Sequence, residues 1–154
     1  MNSDLDEFIA AARSFLDWIE RGDLEDIKDV QLRLARLQYY VLLLSDDEPA
    51  TLADVPGEDE TIDNDVRTRL MGLPLDTYFM MYNPTSDKTD KPVIGSLIDD
   101  FADIARDLRK GFAALRVGSR DDAVWEWRFN YDWHWGRHAA HAQTAMWSYF
   151  AGRD

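Results

Sequence analysis

The stretch WEWRFNYDWHWGRHAAH, residues 125–141, decides the fold expected for this chain. It holds four of the six tryptophans and all three histidines. Because aromatic side chains bury large areas, a segment this rich in them is typical of the centre of a core or of a binding surface. Its aromatic residues alternate with polar ones, as in a strand, but they also divide into two helical faces.

We favour a helix for this segment. Its continuation, HAAHAQTAMWSYF at residues 138–150, is rich in alanine, and a strand would find a partner only in the short apolar patch at residues 77–82. The prediction is one long helix over residues 121–150, with a strand over residues 125–135 as the open alternative. Neighbours are expected on both aromatic faces of the helix, which are Trp125, Phe129 and Trp133 on one side and Trp127, Tyr131 and Trp135 on the other.

Two further helices are predicted before the middle of the chain. Ser3 and Asp6 have the spacing of a capping box, and Gly22 ends the helical pattern that follows. Asp23 is the predicted N-cap of the second helix. That helix ends in YYVLLL at residues 39–44, which is apolar on all sides and therefore predicted to be deeply buried.

The middle of the chain alternates between loops and helices. Two polar, proline-containing segments, the first of them strongly acidic, predict exposed loops at 45–60 and 83–94. A shorter helix is predicted over about residues 61–73. The clearest helical pattern begins with Ser96 as its N-cap and ends at Gly118.

Length and composition restrict the fold class and the compartment. The 154 residues predict one domain, residues 1–154, built as an all-α bundle of about four to five helices with a long aromatic-rich C-terminal helix. Seventeen Lys and Arg against 30 Asp and Glu give a net charge of −13, which argues against direct nucleic-acid binding. The absence of cysteine excludes disulfides and cysteine-ligated metals. No leader peptide and no long apolar stretch are evident, so we expect a cytoplasmic protein without a membrane span.

Two stretches resemble a bacterial family known only as a domain of unknown function, family 5063. They are VIGSLIDDFADIARDL at residues 93–108 and AVWEWRF at residues 123–129, running on to HWGRH at residues 134–138. The resemblance is specific over residues 92–142. It implies a small, largely helical bacterial protein, and it implies no activity and no catalytic residues.

The three histidines share one side of the predicted helix. His134, His138 and His141 fall within about 60° on a helical wheel, which suits a two- or three-histidine site for zinc, iron or manganese. The residue after His134 is Trp135, so the HExxH pattern of zinc peptidases is absent. Histidines hydrogen-bonded within an aromatic core are the favoured interpretation.

An acidic stripe runs along the helix that begins after Ser96. In the absence of a covering element, the helical wheel places Asp99 and Asp103 toward water, while Asp100 and Asp107 lie nearer the edge of the core. The pattern DDxxD is similar to a magnesium–diphosphate motif, but the second acidic motif that such enzymes need is missing. Solvated or ion-paired carboxylates are therefore the default interpretation.

The last two helices together offer a candidate polar cluster. Its members are Asp100, Asp103, Asp107, Arg128, His134, Arg137 and His138. The two carboxylates at the core edge could pair with Arg128 or Arg137 from the last helix. If the two helices pack antiparallel, His134, His138 and Asp103 form a candidate metal-ligand set.

The favoured functional hypothesis is a non-catalytic protein-interaction or regulatory module with a protein partner and no cofactor. Its basis is an acidic, motif-poor helical chain with surplus aromatic residues. The alternative is a metal-dependent hydrolase-type enzyme with a His/Asp site between the last two helices and a divalent metal as cofactor. Whether the protein is an enzyme, and how many copies assemble, is left open.

Overall fold

The architecture is a helical bundle with one small β-hairpin, in a computed structural model that describes residues 3–88 and 90–152. The prediction of a mostly helical fold with a long aromatic C-terminal helix is confirmed. In chain order the elements are α1 Asp4–Arg21, α2 Ile27–Val41, α3 Glu60–Leu70, β1 Thr77–Met80, β2 Val93–Ser96, α4 Leu97–Val117, α5 Arg120–Asn130, a π-helical turn Tyr131–Trp135, and α6 Gly136–Ala151.

The C-terminal helix runs through α5, the π turn and α6 without a break. Ser119 begins it with a capping box, since its hydroxyl accepts from the Asp122 N–H and the Asp122 carboxylate accepts from the Ser119 N–H. The π turn is closed by the Gly136 N–H, which donates to the carbonyl of Tyr131. A Cβ at Gly136 would lie 2.4 Å from that carbonyl oxygen, which is why glycine follows the π turn.

The two aromatic faces of this helix have different surroundings. Trp127 and Trp135 are fully buried, whereas Trp133 is 77% exposed. The prediction that both faces pack against neighbours is therefore wrong, because the rest of the bundle covers only one side of the helix. On the other side Trp125 stacks on Phe129 with ring centroids 5.0 Å apart. We call Trp125, Phe129 and Trp133 the outer aromatic face.

Helix α4 lies at the centre of the bundle and receives Trp127 from α5. The indole N–H of Trp127 donates to the carbonyl of Leu108 over 3.0 Å. Gly111 makes this approach possible, since a Cβ there would lie 2.0 Å from the Trp127 Nε1 atom. Glycine costs about 1 kcal/mol relative to alanine inside a helix, so its presence here reflects the packing of the indole.

Helix α2 differs from its prediction at both ends. It is capped by Asp26 rather than Asp23, because residues 23–26 form a separate turn before the helix. At the other end Tyr39 is 61% exposed and Leu42 is 54% exposed. The predicted burial on all sides is wrong, because Val41 and Leu44 are buried while the residues between and before them meet solvent.

The segment after α3 forms the hairpin instead of continuing the helix. Helix α3 ends at Leu70 rather than near residue 73. Strands β1 and β2 pair antiparallel, with Tyr78 opposite Gly95. Residues 93–94 therefore belong to a strand, and the predicted loop 83–94 ends too late; residue 89 lies outside the described residues. The carbonyl of Asp76 accepts from the Leu97 N–H, which joins the hairpin to the start of α4.

Candidate metal centre

Two histidines of the C-terminal helix face two buried carboxylates of α4. His134 Nδ1 lies 2.6 Å from Asp107 Oδ2, and His138 Nδ1 lies 2.7 Å from Asp100 Oδ1. The later histidine pairs with the earlier aspartate, so the two helices run antiparallel here. Asp100 and Asp107 are only 4% and 8% exposed. These contacts bring together residues of two helices that are far apart in the sequence.

Each of these contacts orients an imidazole ring. An ionised carboxylate only accepts hydrogen bonds, so each Nδ1 donates, and in the neutral ring Nε2 is the nitrogen that a metal ion would bind. Burial raises the pKa of Asp107 above its usual value, while the hydrogen bond with His134 opposes that rise. The rings of His134 and His138 pack edge to face with centroids 4.8 Å apart. Both Nε2 atoms are therefore available as metal ligands.

Tyr78 of strand β1 completes the environment of Asp100. Its hydroxyl donates to Asp100 Oδ2, while the other carboxylate oxygen accepts from His138. Burial, together with the neighbouring carboxylate, raises the pKa of Tyr78 far above its usual value, so the phenol stays protonated. Through Tyr78, the hairpin thereby orients the Asp100 carboxylate, which in turn orients the ring of His138.

Asp103 supplies a carboxylate at the middle of the group. Its Oδ2 atom lies 3.4 Å from His138 Nε2, and its Oδ1 atom accepts from Arg106 over 2.7 Å and from Arg67 over 3.2 Å. The side chain is only 15% exposed. The wheel places Asp103 toward water in the absence of a covering element, and Arg67 of α3 is such an element. Asp99 is exposed, as predicted.

The three candidate ligands converge. One ligand atom from each of Asp103, His134 and His138 lies within 4.8 Å of the others. Ligands of a single zinc ion lie about 2.0–2.2 Å from the metal, so small side-chain movements bring this set to bonding distance. Two histidines and one carboxylate are a common set for zinc or non-haem iron, and they leave positions open for water or substrate.

The two predicted arginine partners lie outside this group. Arg128 forms an ion pair with Asp132 and donates to the carbonyl of Leu44. Arg137 donates to the Tyr82 hydroxyl and lies over that ring, 4.6 Å from its centroid. The prediction that these arginines pair with the buried carboxylates is wrong, since the histidines occupy that place.

Sequence reasoning missed Tyr78 and Arg67, and it left His141 out of the candidate ligand set. Tyr78 lies in an apolar patch of the sequence. The available signal is that a buried tyrosine hydroxyl usually has a hydrogen-bond partner. For Arg67 the sequence signals only the spacing of a helical ion pair with Asp63, which the structure contains. His141 lies one helical turn after His138 and is half-buried, and burial lowers its pKa.

The fold and the site define a class: small helical bundles with a histidine–carboxylate centre between two antiparallel helices. Within that class the chain belongs to the family described as a domain of unknown function, DUF5063, whose profile matches residues 1–151. The family resemblance of the two quoted stretches is thus confirmed.

A similar solved structure is that of protein BF1032 from Bacteroides fragilis. It is 17% identical to this chain, covers 96% of this chain and 92% of its own, and has a TM-score of 0.76. At that identity the likeness concerns the fold alone. No match is found among curated proteins. In the described part of the chain, every helix is too short or too polar to cross a membrane.

Proposed function

We propose that this protein binds one divalent transition-metal ion through Asp103, His134 and His138 and uses it for hydrolysis. The observation that carries the proposal is the convergence of three ligand atoms within 4.8 Å, two of them on imidazoles held at Nδ1 by buried carboxylates. This is the arrangement in which protein carboxylates orient metal-binding histidines and raise their basicity. Zinc, iron and manganese all suit the ligand types.

The cost of the arrangement supports a binding role over a purely structural one. Burying carboxylates costs free energy, and apolar residues of similar volume usually serve stability as well or better. Asp100 and Asp107 are buried and each holds one ring, and the ligand atoms of both rings lie within 4.8 Å of the Asp103 carboxylate. A metal ion would be bound by Asp103, His134 and His138, while Asp100 and Asp107 would orient the two imidazole rings.

The number of ligands supports a catalytic metal over a structural one. Structural zinc sites are closed by four protein ligands, whereas catalytic sites have three protein ligands and a bound water. Asp103, His134 and His138 make three. A zinc ion held by these residues would lower the pKa of a bound water from about 15.7 toward 7 and would so supply a nucleophile at neutral pH. Hydrolysis is the reaction class that such a nucleophile serves.

Metal analysis tests the proposal directly. The full chain, purified without an affinity tag, would be dialysed against zinc, manganese or ferrous iron in turn and analysed by mass spectrometry. We expect about one equivalent of at least one metal, and a 10- to 100-fold or greater loss of affinity in His138→Gln and Asp103→Asn.

Two matched variants control for general effects. Asp99→Asn changes an exposed aspartate on the same helix, and His141→Gln changes the neighbouring histidine. Both should keep the affinity of the unchanged protein. Absence of stoichiometric metal under all three conditions, or equal affinity in all four variants, would overturn the proposal.

A second candidate function is binding of a protein partner, and the outer aromatic face favours it. Trp133 is 77% exposed and adjoins Phe129, which is 40% exposed. Exposed apolar patches of this kind mark interaction sites on soluble proteins. Cross-linking in living cells, followed by mass spectrometry, should give a partner that is lost in Trp133→Ser and kept in Trp147→Ser, which changes an exposed tryptophan elsewhere. Equal cross-linking in both variants would reject this role.

A further inference from the structure

We infer that a pocket of about 350 Å³ beside the metal centre receives the apolar group of the substrate. This inference rests on the proposed function. The hairpin and the loop after β1 supply one wall of the pocket, and α6 supplies the other. The residues that matter to the argument are Tyr78, Met80, Met81 and Pro84 on the first wall and His141 and Thr144 on the second.

Two residues that line the pocket, Tyr78 and His141, connect it to the candidate metal ligands. The ring of Tyr78 lines the pocket, while its hydroxyl donates to Asp100, the carboxylate that holds His138. On the opposite wall His141 follows His138 by one helical turn. A molecule in the pocket between the hairpin and α6 therefore lies on the side of the candidate centre that Tyr78 and His141 border.

The lining selects an uncharged, apolar group. The first wall consists of rings and thioethers, and methionine adapts its shape to irregular apolar ligands. The described lining contains no arginine, lysine or carboxylate, so a charged group would lose hydration without gaining a partner. The volume is at the lower end of the range for small-molecule sites, about 300–1,000 Å³. A phenyl ring or a branched aliphatic group fits these limits.

His141 adds one polar contact to this pocket. The Thr144 hydroxyl already donates to the carbonyl of Ala140. His141, by contrast, has no hydrogen bond to any of residues 3–88 and 90–152, so its ring nitrogens are available to a ligand. The substrate class is thus a small molecule with an apolar group and an adjacent polar, hydrolysable bond.

The larger cleft of the molecule, about 1190 Å³, fits this role less well. It lies between α1, α4 and residues 55–59, and much of its lining is charged. Its arginines are largely paired, as Arg109 is with Glu58 and Arg33 with Asp29. It reaches the candidate centre only at Asp107, whose carboxylate already accepts from His134.

Two hydroxamates of different size test the inference on the zinc-loaded full-length protein. Both chelate the metal, but phenylacetohydroxamate carries a ring and acetohydroxamate does not. We expect the phenyl compound to bind at least about tenfold more tightly by isothermal titration calorimetry, because the pocket takes the ring out of water. Thr144→Trp should remove this difference by filling the pocket while leaving the affinity for acetohydroxamate unchanged.

Control variants keep the test decisive. Ser148→Trp places the same indole one turn further along α6 and should keep the tenfold difference. Thr144→Met fills less of the pocket and should give an intermediate difference, which guards against misfolding of the tryptophan variant. If zinc binds but the two hydroxamates have equal affinity, or if Thr144→Trp and Ser148→Trp behave alike, the pocket inference is wrong and the metal proposal stands. If zinc does not bind, the metal proposal itself has failed.

Discussion

Helix α4 has two contact surfaces of opposite character. Toward α5 it is apolar: Trp127 lies on Gly111, and its ring packs edge to face on Phe112 with centroids 5.1 Å apart. Toward the histidines the same helix presents carboxylates, among them Asp100 and Asp107. Burial of the apolar surface stabilises the fold, whereas burial of the carboxylates destabilises it because charged groups lose their hydration.

This difference teaches which side of the helix serves stability and which serves binding. Apolar contacts are sufficient to hold α4 in the centre of the bundle. The polar surface is not needed for that purpose, yet its two buried carboxylates are hydrogen-bonded to Tyr78, His134 and His138. Four expected outcomes test the contrast, from the largest effect to the smallest.

The largest effect is expected on the apolar surface. Trp127→Ala should lower the free energy of unfolding by about 3–5 kcal/mol, because it leaves a cavity and frees the carbonyl of Leu108. Urea denaturation followed by circular dichroism measures the change. Trp133→Ala is the matched control on the exposed side and should change stability by at most about 0.5 kcal/mol. Similar losses in both variants would mean that the two faces are not distinct.

The next effect is expected on the polar surface and depends on metal. Zinc at 100 times its dissociation constant should raise the free energy of unfolding by about 2.7 kcal/mol. His138→Ala should abolish this gain, because it removes a ligand atom of the converging set. Asp132→Asn, a change of an exposed carboxylate on the π turn, should keep the gain. Zinc stabilisation that persists in His138→Ala would place the metal elsewhere.

A smaller effect on stability is expected at the apolar surface. Gly111→Ala should destabilise the protein by about 1–3 kcal/mol, since the added methyl overlaps the indole of Trp127. Combining it with Trp127→Phe should recover part of the loss, which a double-mutant cycle measures as coupling. Additive losses in the double variant would show that the two positions are not in contact.

The smallest effect concerns pH at the end of the polar surface. Burial lowers the pKa of His141 below 6.5, so that ring is neutral in the folded protein at pH 7. As pH falls, the unfolded chain takes up this proton first, and the free energy of unfolding therefore decreases through pH 6.5 and levels off below the folded-state pKa. NMR titration of metal-free protein should give a His141 midpoint below 6.5, and His141→Gln should flatten this part of the stability profile. A midpoint above 6.5 would contradict the assignment.

Local signals in the sequence were sufficient for the ends of α1 and α4 and for the C-terminal helix. Ser3 and Ser96 act as N-caps as predicted, and the helices that follow end at Gly22 and Gly118. The long C-terminal helix also follows from its alanine-rich continuation. Each of these features depends on residues within a few positions of one another, so the chain itself contains the necessary information.

The same kind of signal failed for the candidate site wherever a distant element intervenes. The wheel of α4 places Asp103 toward water unless another element covers it, and it cannot show that Arg67 does. Arg128 and Arg137 were assigned to the buried carboxylates because charge alone suggested it. Tyr78 was not considered, since its strand had no recognisable partner in the sequence.

The sequence by itself determined which residues share a helical face, including the two histidines and the aspartates that form the centre. Only the tertiary structure decided which faces are covered and which groups meet. The contacts of the centre join residues 22, 27 and 38 positions apart: Tyr78 with Asp100, Asp107 with His134, and Asp100 with His138. Periodicity reports on neighbours one or two turns away, whereas such pairings depend on how whole helices and the hairpin pack.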